Sequence, residues 1–303
     1  MYVFIVNPNA GNGKANYIFE QLQKSAVYEQ LNSKYYYSEY EGHAEEIAAS
    51  LVSEKGITRI IVIGGDGTIH EVMNGLGSTD ILIGFIPGGS GNDFARGVGI
   101  KGTPEEILQK IINGENIVNY WLGNYKCDDE KTRYLVNSIG FGFDAQVADA
   151  ANHSSYKRFF NHYKIGTGNY IVAILQVLKS FKRMTLEVTV DGERRIIENC
   201  WLISVGNHPY YGGGMKMMPN AKIQPEKFSV LIVHSISKLK VLALFMTVFT
   251  GKHERIKGVE LFEAESLQVR SKLPLYTQID GQTAICHKTK ITKEAKTVQI
   301  VSV

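Results

Sequence analysis

The first third of the chain alternates unbroken apolar runs with polar, helix-compatible stretches. Tyr2–Val6 is apolar throughout and stops at Asn7-Pro8, which predicts a buried strand. A helix is expected from Lys14 to about Gln30, a strand over Tyr35–Ser38 and a helix over Ala44–Ser53. Arg59–Ile63 is a β-branched run halted by Gly64-Gly65, Thr68–Leu76 reads as helix, and Ile81–Ile86 is a further buried strand halted by Pro87-Gly88-Gly89. Strands and helices alternating over short links predict a mostly parallel sheet covered on both faces, a three-layer α/β domain. Ligands of such sheets bind beyond the carboxyl ends of the strands. The three glycine clusters of this region all lie there.

After about Gly123 the pattern changes. Arg133–Ile139, Thr185–Val190, Arg195–Val205, Phe228–Val233, Ser266–Val269 and Pro274–Ile279 read as strands, with Asp191-Gly192 as a hairpin turn. Helical stretches fall near Tyr170–Phe181 and Leu239–Phe249, and Thr297–Val303 is again strand-like. A second domain on an antiparallel sheet is expected, with the tail added to the first. No repeat, low-complexity tract or linker is evident.

Composition narrows the class. The chain has 303 residues, 44% hydrophobic and 21% charged, ordinary values for a globular protein. Its three cysteines are far apart and form no C-x-x-C pair, which argues against a zinc knuckle or a disulfide framework and for a reducing, cytoplasmic setting. A net charge of +3 is too small to imply nucleic acid, yet suits weak attraction to an anionic membrane surface. The N-terminus lacks a basic n-region. The longest apolar stretch, Leu239–Phe249, falls short of the about 20 residues of a membrane span, so no transmembrane segment is expected and this stretch reads as a core helix.

The chemistry lies in the glycine clusters. Asn7-Pro8-Asn9-Ala10-Gly11-Asn12-Gly13-Lys14 joins a strand end to a helix start, where small residues let backbone N–H groups approach an anion. It does not have the Walker A spacing, and a plain strand-to-helix turn explains it equally well. Gly64-Gly65-Asp66-Gly67-Thr68, followed by Glu71 and Asn74-Gly75, places a carboxylate among glycines, where it can hold Mg²⁺ directly or through water. The plainer alternative is an Asx turn with Thr68 as helix cap. Pro87-Gly88-Gly89-Ser90-Gly91-Asn92-Asp93 also joins a strand to a helix that Asn92 or Asp93 would cap. Gly97-Val98-Gly99-Ile100-Lys101-Gly102 matches a dinucleotide string but has no strand before it, and is set aside.

In this order and spacing, these clusters and Phe94-Ala95-Arg96 resemble the diacylglycerol kinase catalytic domain family, which includes bacterial lipid kinases and the sphingosine and ceramide kinases. Gly140-Phe141-Gly142-Phe143-Asp144-Ala145 resembles its next motif, and Asp280-Gly281-Gln282 its Asp-Gly-Glu. The resemblance implies an α/β nucleotide-binding domain over 1–123 plus 290–303 and a β-sandwich-like lipid domain over 124–289. It implies ATP- and Mg²⁺-dependent phosphorylation of a lipid hydroxyl, diacylglycerol-like, in the cleft between them, as in phospholipid biosynthesis. By matching position, ATP would meet Asn7, Pro8, Asn9, Ala10, Gly11, Ser38, Gly64, Gly65, Asp66, Gly67, Thr68, Glu71, Gly88, Gly89, Ser90 and Asn92, with Asp66 also serving the nucleotide's metal. Asp280 and position 282 would serve the acceptor hydroxyl. The implied partner is a lipid at the membrane surface, met through peripheral contact; a homodimer is compatible, nucleic acid is not expected.

Three positions depart from the family. Gln282 replaces the acidic residue and cannot take a proton, so a general base is either dispensable or supplied by Asp280. Gln224-Pro225 replaces an acidic pair tied to a structural Mg²⁺, and Trp121 stands where Asp is common. An NAD-kinase-like enzyme and a catalytically impaired nucleotide- or lipid-binding regulator are the competing readings. His70 is expected at the surface, Gly212-Gly213-Gly214 as a cleft lid, and Ile171, Ile174, Leu175, Leu178 and Phe181 as a core stripe. The preceding Lys157-Arg158-Phe159-Phe160 suits a membrane interface as an alternative to core.

Overall fold

A computed structural model of the protein describes residues 1–77, 79–153, 166–248 and 250–302. The first part forms β1 (Tyr2–Val6), α1 (Lys14–Gln23), α2 (Ala26–Glu29), β2 (Ser33–Tyr37), α3 (His43–Leu51), β3 (Arg59–Gly64), α4 (Asp66–Leu76), β4 (Leu82–Pro87), α5 (Asp93–Val98) and α6 (Pro104–Asn113). β2, β1, β3 and β4 lie side by side and parallel. Val3–Val6 and Ile60–Ile63 have no exposed surface, as strands with helices packed on them require. α1 packs on α2 and α6, and α3 on α4.

The long helix expected over Lys14–Gln30 is two helices. Ser25 Oγ donates to Leu22 O (2.6 Å) and accepts from Tyr28 N (3.3 Å), so one hydroxyl ends α1 and caps α2. α6 is absent from the apolar-run reading. Its signal is Thr103-Pro104-Glu105-Glu106, where Thr103 Oγ1 accepts from Glu106 N (3.3 Å) and Glu106 Oε2 from Thr103 N (2.7 Å).

The second part forms β5 (Ile117–Cys127), β6 (Arg133–Leu135), β7 (Ser138–Gly142), α7 (Phe143–His153), α8 (Gly166–Ser180), β8 (Met184–Val190), β9 (Glu193–Gly206), a ribbon of β10 (Tyr210–Tyr211) and β11 (Met215–Lys216), β12 (Phe228–His234), α9 (Lys238–Thr247), β13 (Val259–Ala264), β14 (Ser266–Ile279) and β15 (Gln282–Val301). The period of two divides its side chains between two cores. Ile203, Val205, Val230 and Ile232 of β9 and β12 join Leu267 and Val269 of β14 in one. Leu202, Leu231 and Val233 point the other way, into a second core with Phe143, Val147, Ile174, Val177, Val241 and Leu244 of α7, α8 and α9. The architecture is α/β in two domains.

The sheet does not divide with them. β15 is 20 residues long and pairs antiparallel with both β14 and β5, and its Ile300 lies parallel to Ile83 of β4. Thirteen strands therefore share one sheet, where a separate parallel three-layer domain was expected. The strand-like tail from Thr297 is the end of a strand that begins at Gln282 and carries an irregularity between Lys293 and Thr297.

The two helical stretches also differ from expectation. Ile174 and Phe181 are buried, but Leu175 is 50% exposed. α9 buries Val241 and Leu244 yet leaves Leu239 80% exposed, so it is not wholly a core helix. The Lys157–Phe160 block, the Ile171 side chain, Phe249 and Val303 lie outside the described residues.

Candidate functional site

The three glycine loops meet at the carboxyl ends of β1, β3 and β4, and they interlock. Gly11 sits at φ +60°, and a Cβ there would lie 2.2 Å from Gly88 O. A Cβ on Gly89 would lie 2.5 Å from Gly65 Cα. Gly88 N donates to Gly64 O (2.7 Å). Thr68 Oγ1 accepts from Asn7 Nδ2 (3.1 Å) and Gly65 N (3.4 Å), binding the first loop to the second. Asn92 stands at the N-cap of α5, but its side chain does not bond to the helix. It sits at φ +56°, accepts from Gly89 N (2.9 Å) and donates to Gly89 O (2.8 Å), so it closes the third loop on itself.

Around these loops opens a cleft of about 410 Å³. Asn7, Asn9, Ala10, Gly11, Ser38, Gly65, Gly67, Thr68, Glu71, Gly89 and Ser90 line it, together with Glu39, Tyr40 and Glu41, which sequence reasoning missed. These three follow β2 directly, beside Ser38, and their position at a strand end was the available signal. Tyr40 stacks on His43 with ring centroids 4.5 Å apart. No lysine or arginine is among the lining residues, so phosphate charge would be met by backbone N–H groups, helix starts and a cation. Glu71 Oε2 accepts from Ala44 N (3.2 Å), which caps α3 and ties it to α4.

Pro8, Gly64, Asp66, Gly88, Asn92, Asp280 and Gln282 do not line this cleft. Asp66 lies beneath the loops, where its Oδ1 accepts from Phe94 N (2.9 Å) in the first turn of α5. Burial, and secondarily the charge of Asp93, push its carboxyl up to about 6, against the backbone N–H groups of Phe94 and Asp93. Asp93 is also raised by burial. It pairs with Arg96 (3.0 Å) and accepts from Gly213 N (2.7 Å), so the Gly212–Gly214 loop is held against α5.

Asp280 forms the turn between β14 and β15 with Gly281, at φ +48° and +96°. It is also the hub of a buried junction. Oδ1 accepts from Asn137 N (2.7 Å) and Ser138 N (2.8 Å), and Oδ2 from Val136 N (2.9 Å). His70 Nδ1 lies 2.6 Å from Oδ2. His70 is therefore fully buried, not at the surface: it is the one polar ring of α4 that faces the segment between β6 and β7. Asn74, one turn on, donates to Tyr134 O (3.1 Å) and accepts from Tyr134 N (2.9 Å). Asn207 donates to Val136 O (2.8 Å) and accepts from Lys293 Nζ (2.6 Å), and Lys293 also reaches Trp121 O (3.1 Å). Burial lowers Lys293 to about 8.

Other singled-out residues are structural or peripheral here. His208 Nε2 meets Asn137 Oδ1 (2.9 Å), and burial lowers its ring to about 4. Its ring packs on Gly97, where a Cβ would come within 2.4 Å, which accounts for a glycine in the discarded dinucleotide string. Asp144 is buried and raised to about 6, with Ser204 Oγ (3.0 Å) and Tyr211 Oη (2.7 Å) on Oδ2. Gln224 donates to Glu263 (2.9 Å).

An α/β part that carries three interlocked glycine loops is joined to an antiparallel part, and the sequence comparisons match each part to a family model. Residues 1–119 match the model of the diacylglycerol kinase catalytic domain, and 137–301 that of the YegS C-terminal NAD kinase beta sandwich-like domain. YtlR of Bacillus subtilis, whose name places it among lipid kinases, is 34% identical over 93% of each chain. A diacylglycerol kinase of Mycobacterium tuberculosis is 30% identical over 75% of this chain and 71% of its own. A crystal structure from Bacillus anthracis named after diacylglycerol kinases superposes with a TM-score of 0.77 at 22% identity, covering 100% of this chain and 95% of that one. The chain belongs to the YegS-like lipid kinase family with a diacylglycerol kinase catalytic domain.

Proposed function

We propose that the protein is an ATP- and Mg²⁺-dependent lipid kinase that phosphorylates the hydroxyl of a diacylglycerol-like lipid. The observation that supports this reading is the interlock of three glycine loops over a cleft with no basic side chain, with a half-buried carboxylate of raised pKa beside the loops. In this reading residues 1–123 with 290–303 bind the nucleotide and 124–289 bind the lipid. The phosphates lie against Asn7, Asn9, Ala10, Gly11, Gly65, Gly67, Thr68, Gly89 and Ser90, and the nucleoside end lies toward Ser38–Glu41.

Asp66 fits a nucleotide-borne cation. It is a half-buried carboxylate with an acidic neighbour and no basic side chain bonded to it, and a divalent ion would offset that charge. No group of three metal-ligating side chains is present among the described residues, so phosphate oxygens would supply the other ligands. When bound, Mg²⁺ would neutralise charge on the transferring phosphate. The chain's own contribution is positional. Helix starts and loop N–H groups orient the phosphates, and the Asp280–His70 junction holds the second domain's β6–β7 segment beside α4. Asp280 has both oxygens engaged, so we assign it to positioning this junction; Gln282, at the start of β15, carries no proton-accepting role.

Transfer of labelled phosphate from ATP to diacylglycerol in mixed micelles tests the reading. Lipid-dependent labelling supports it. Labelling of NAD instead would establish the NAD-kinase alternative, for which the second domain's family name is the specific support. ATP binding without transfer to any acceptor would favour the regulator, which the engaged Asp280 and Gln282 allow.

A further inference from the structure

Two of the three cysteines, far apart in sequence, meet in the core of the second part. Cys127 is the last residue of β5 and pairs with Thr289 of β15. Cys286 lies three positions before Thr289, yet both are buried, where strict alternation would turn one of them outward. β15 is locally irregular here. Asp128, at φ +44°, accepts from His287 N (3.1 Å) and Lys288 N (2.8 Å) through Oδ1, so a side chain takes over where the β5 backbone ends. Both sulfurs consequently meet one hydroxyl. Thr289 Oγ1 lies 3.1 Å from Cys286 Sγ and 3.6 Å from Cys127 Sγ, and Thr277 Oγ1 lies 3.0 Å from Cys286 Sγ. The two thiols also bond to each other. Cys200 instead directs its Sγ at Leu202 O (3.7 Å).

A buried cysteine is ordinarily a small, inert apolar residue. The surroundings of this pair differ. The bond from Cys127, with the Thr277 and Thr289 hydroxyls, lowers the Cys286 thiol against its burial. Cys127 is raised as the partner in that bond, and burial raises Cys200. The thiolate is the form that attacks an oxidant, so Cys286 is the reactive member and Cys127 stands beside it as the resolving one. Exposed residues adjoin both. Residues 128–132 follow Cys127, and 272–274 precede Leu275, the β14 partner of Cys286. Local opening at this edge admits a molecule little larger than water.

We propose that Cys127 and Cys286 are a redox-active pair, which hydrogen peroxide closes reversibly into a disulfide that pins β15 to the end of β5. The Cys286 thiolate attacks one peroxide oxygen. An S–O bond forms, the O–O bond breaks, and the departing oxygen takes up the proton that Cys286 gave up and leaves as water. Cys127 then attacks the sulfenic sulfur: the S–S bond forms, the S–O bond breaks and a second water leaves. Two thiols and one peroxide give one disulfide and two waters; each sulfur loses one electron and each peroxide oxygen gains one. In a reducing compartment the pair rests as thiols and the disulfide is transient. This chemistry involves no phosphoryl transfer and is independent of the kinase reading.

Thiol counting on the folded wild type tests the proposal. After peroxide, unfolding and alkylation, Cys200 should be the only cysteine alkylated, and a Cys127–Cys286 peptide pair should appear that dithiothreitol reverts. The bridge closes a long loop, so the oxidised protein should melt about 5 °C or more above the reduced one. Cys127→Ala should leave Cys286 as a sulfenic acid that dimedone labels, whereas Cys286→Ala should leave Cys127 reduced. Both variants alter a core, so their melts are recorded beside these readouts, and the wild-type result stands without them. Three alkylated cysteines after peroxide overturn the proposal, as does a disulfide that includes Cys200 or joins two chains. Dimedone labelling of Cys127 in Cys286→Ala would overturn the assignment of Cys286 as the attacking thiol. An oxidised protein that melts no higher than the reduced one would overturn the pinning of β15.

Discussion

Replacing Asp66 by Asn should move stability and activity in opposite directions. The carboxyl accepts from Phe94 N at 2.9 Å, lies near Asp93 and is pushed up to about 6 by burial. From a usual value of 3.8 the rise is about two pH units, or about 3 kcal/mol at 1.36 kcal/mol per unit. An acid whose pKa rises on folding holds its proton more tightly in the native state. Its contribution is therefore most favourable below about pH 4, is lost as pH rises from 4 to 6, and above 6 the ionised group weighs against the fold. Asn keeps the shape and the acceptor for Phe94 N but carries no charge. Asp66→Asn should be more stable than the wild type by about 1–3 kcal/mol at pH 8, with the gap shrinking as pH falls toward 4. Urea titrations of both proteins across this range measure it. If the carboxylate also holds the nucleotide's cation, phosphate transfer by the same variant should fall about 10²-fold or more. A variant no more stable than the wild type at pH 8 refutes the electrostatic reasoning, and unimpaired turnover refutes the functional assignment.

Asp280→Asn places an NH₂ group against a backbone N–H or the His70 ring, so it should cost about 2–4 kcal/mol of stability; a loss of activity with unchanged urea midpoint would instead point to chemistry at this carboxylate. Gly97→Ala drives a methyl into the His208 ring and should lower stability by about 1–3 kcal/mol in thermal melts, with an unchanged melt showing that the ring yields freely. Lys293, lowered to about 8 by burial, binds its proton less tightly in the native state than in the unfolded chain, so wild-type stability should gain a contribution between about pH 8 and 10.5 that Lys293→Met lacks; parallel pH profiles of the two proteins would contradict this.

What the sequence made legible was local. A buried β-branched run that ends in glycine marks a strand and the loop after it, and most of the cleft lining follows from that. The tail's return to the first part was read correctly, as Ile300 beside Ile83 shows, but side-chain pairings across the chain were not legible. His70 and Asp280 are 210 positions apart, and an Ile-His-Glu string at a helix start does not say that the ring will be enclosed by the other domain. Likewise Glu71 reads as a cleft residue, but its tie to Ala44 depends on how α3 meets α4. α9 misleads for a different reason. When both faces are apolar, helical spacing shows that a stripe exists and not which side is inward. Ser25 misleads most simply, because one hydroxyl-bearing residue inside a helical pattern can end one helix and begin another.

The 20-residue β15 joins the two parts by one strand. One strand supplies a backbone neighbour to β14, to β5 and, at Ile300, to β4, which lies more than 200 positions earlier. The first 119 residues on their own would present β4 as an open edge, free to recruit strands from other molecules. The sheet of that region is finished only by long-range pairing. Assembly should accordingly be slow and all-or-none across both parts, with the exposed edge of β4 as the point at which incomplete chains self-associate.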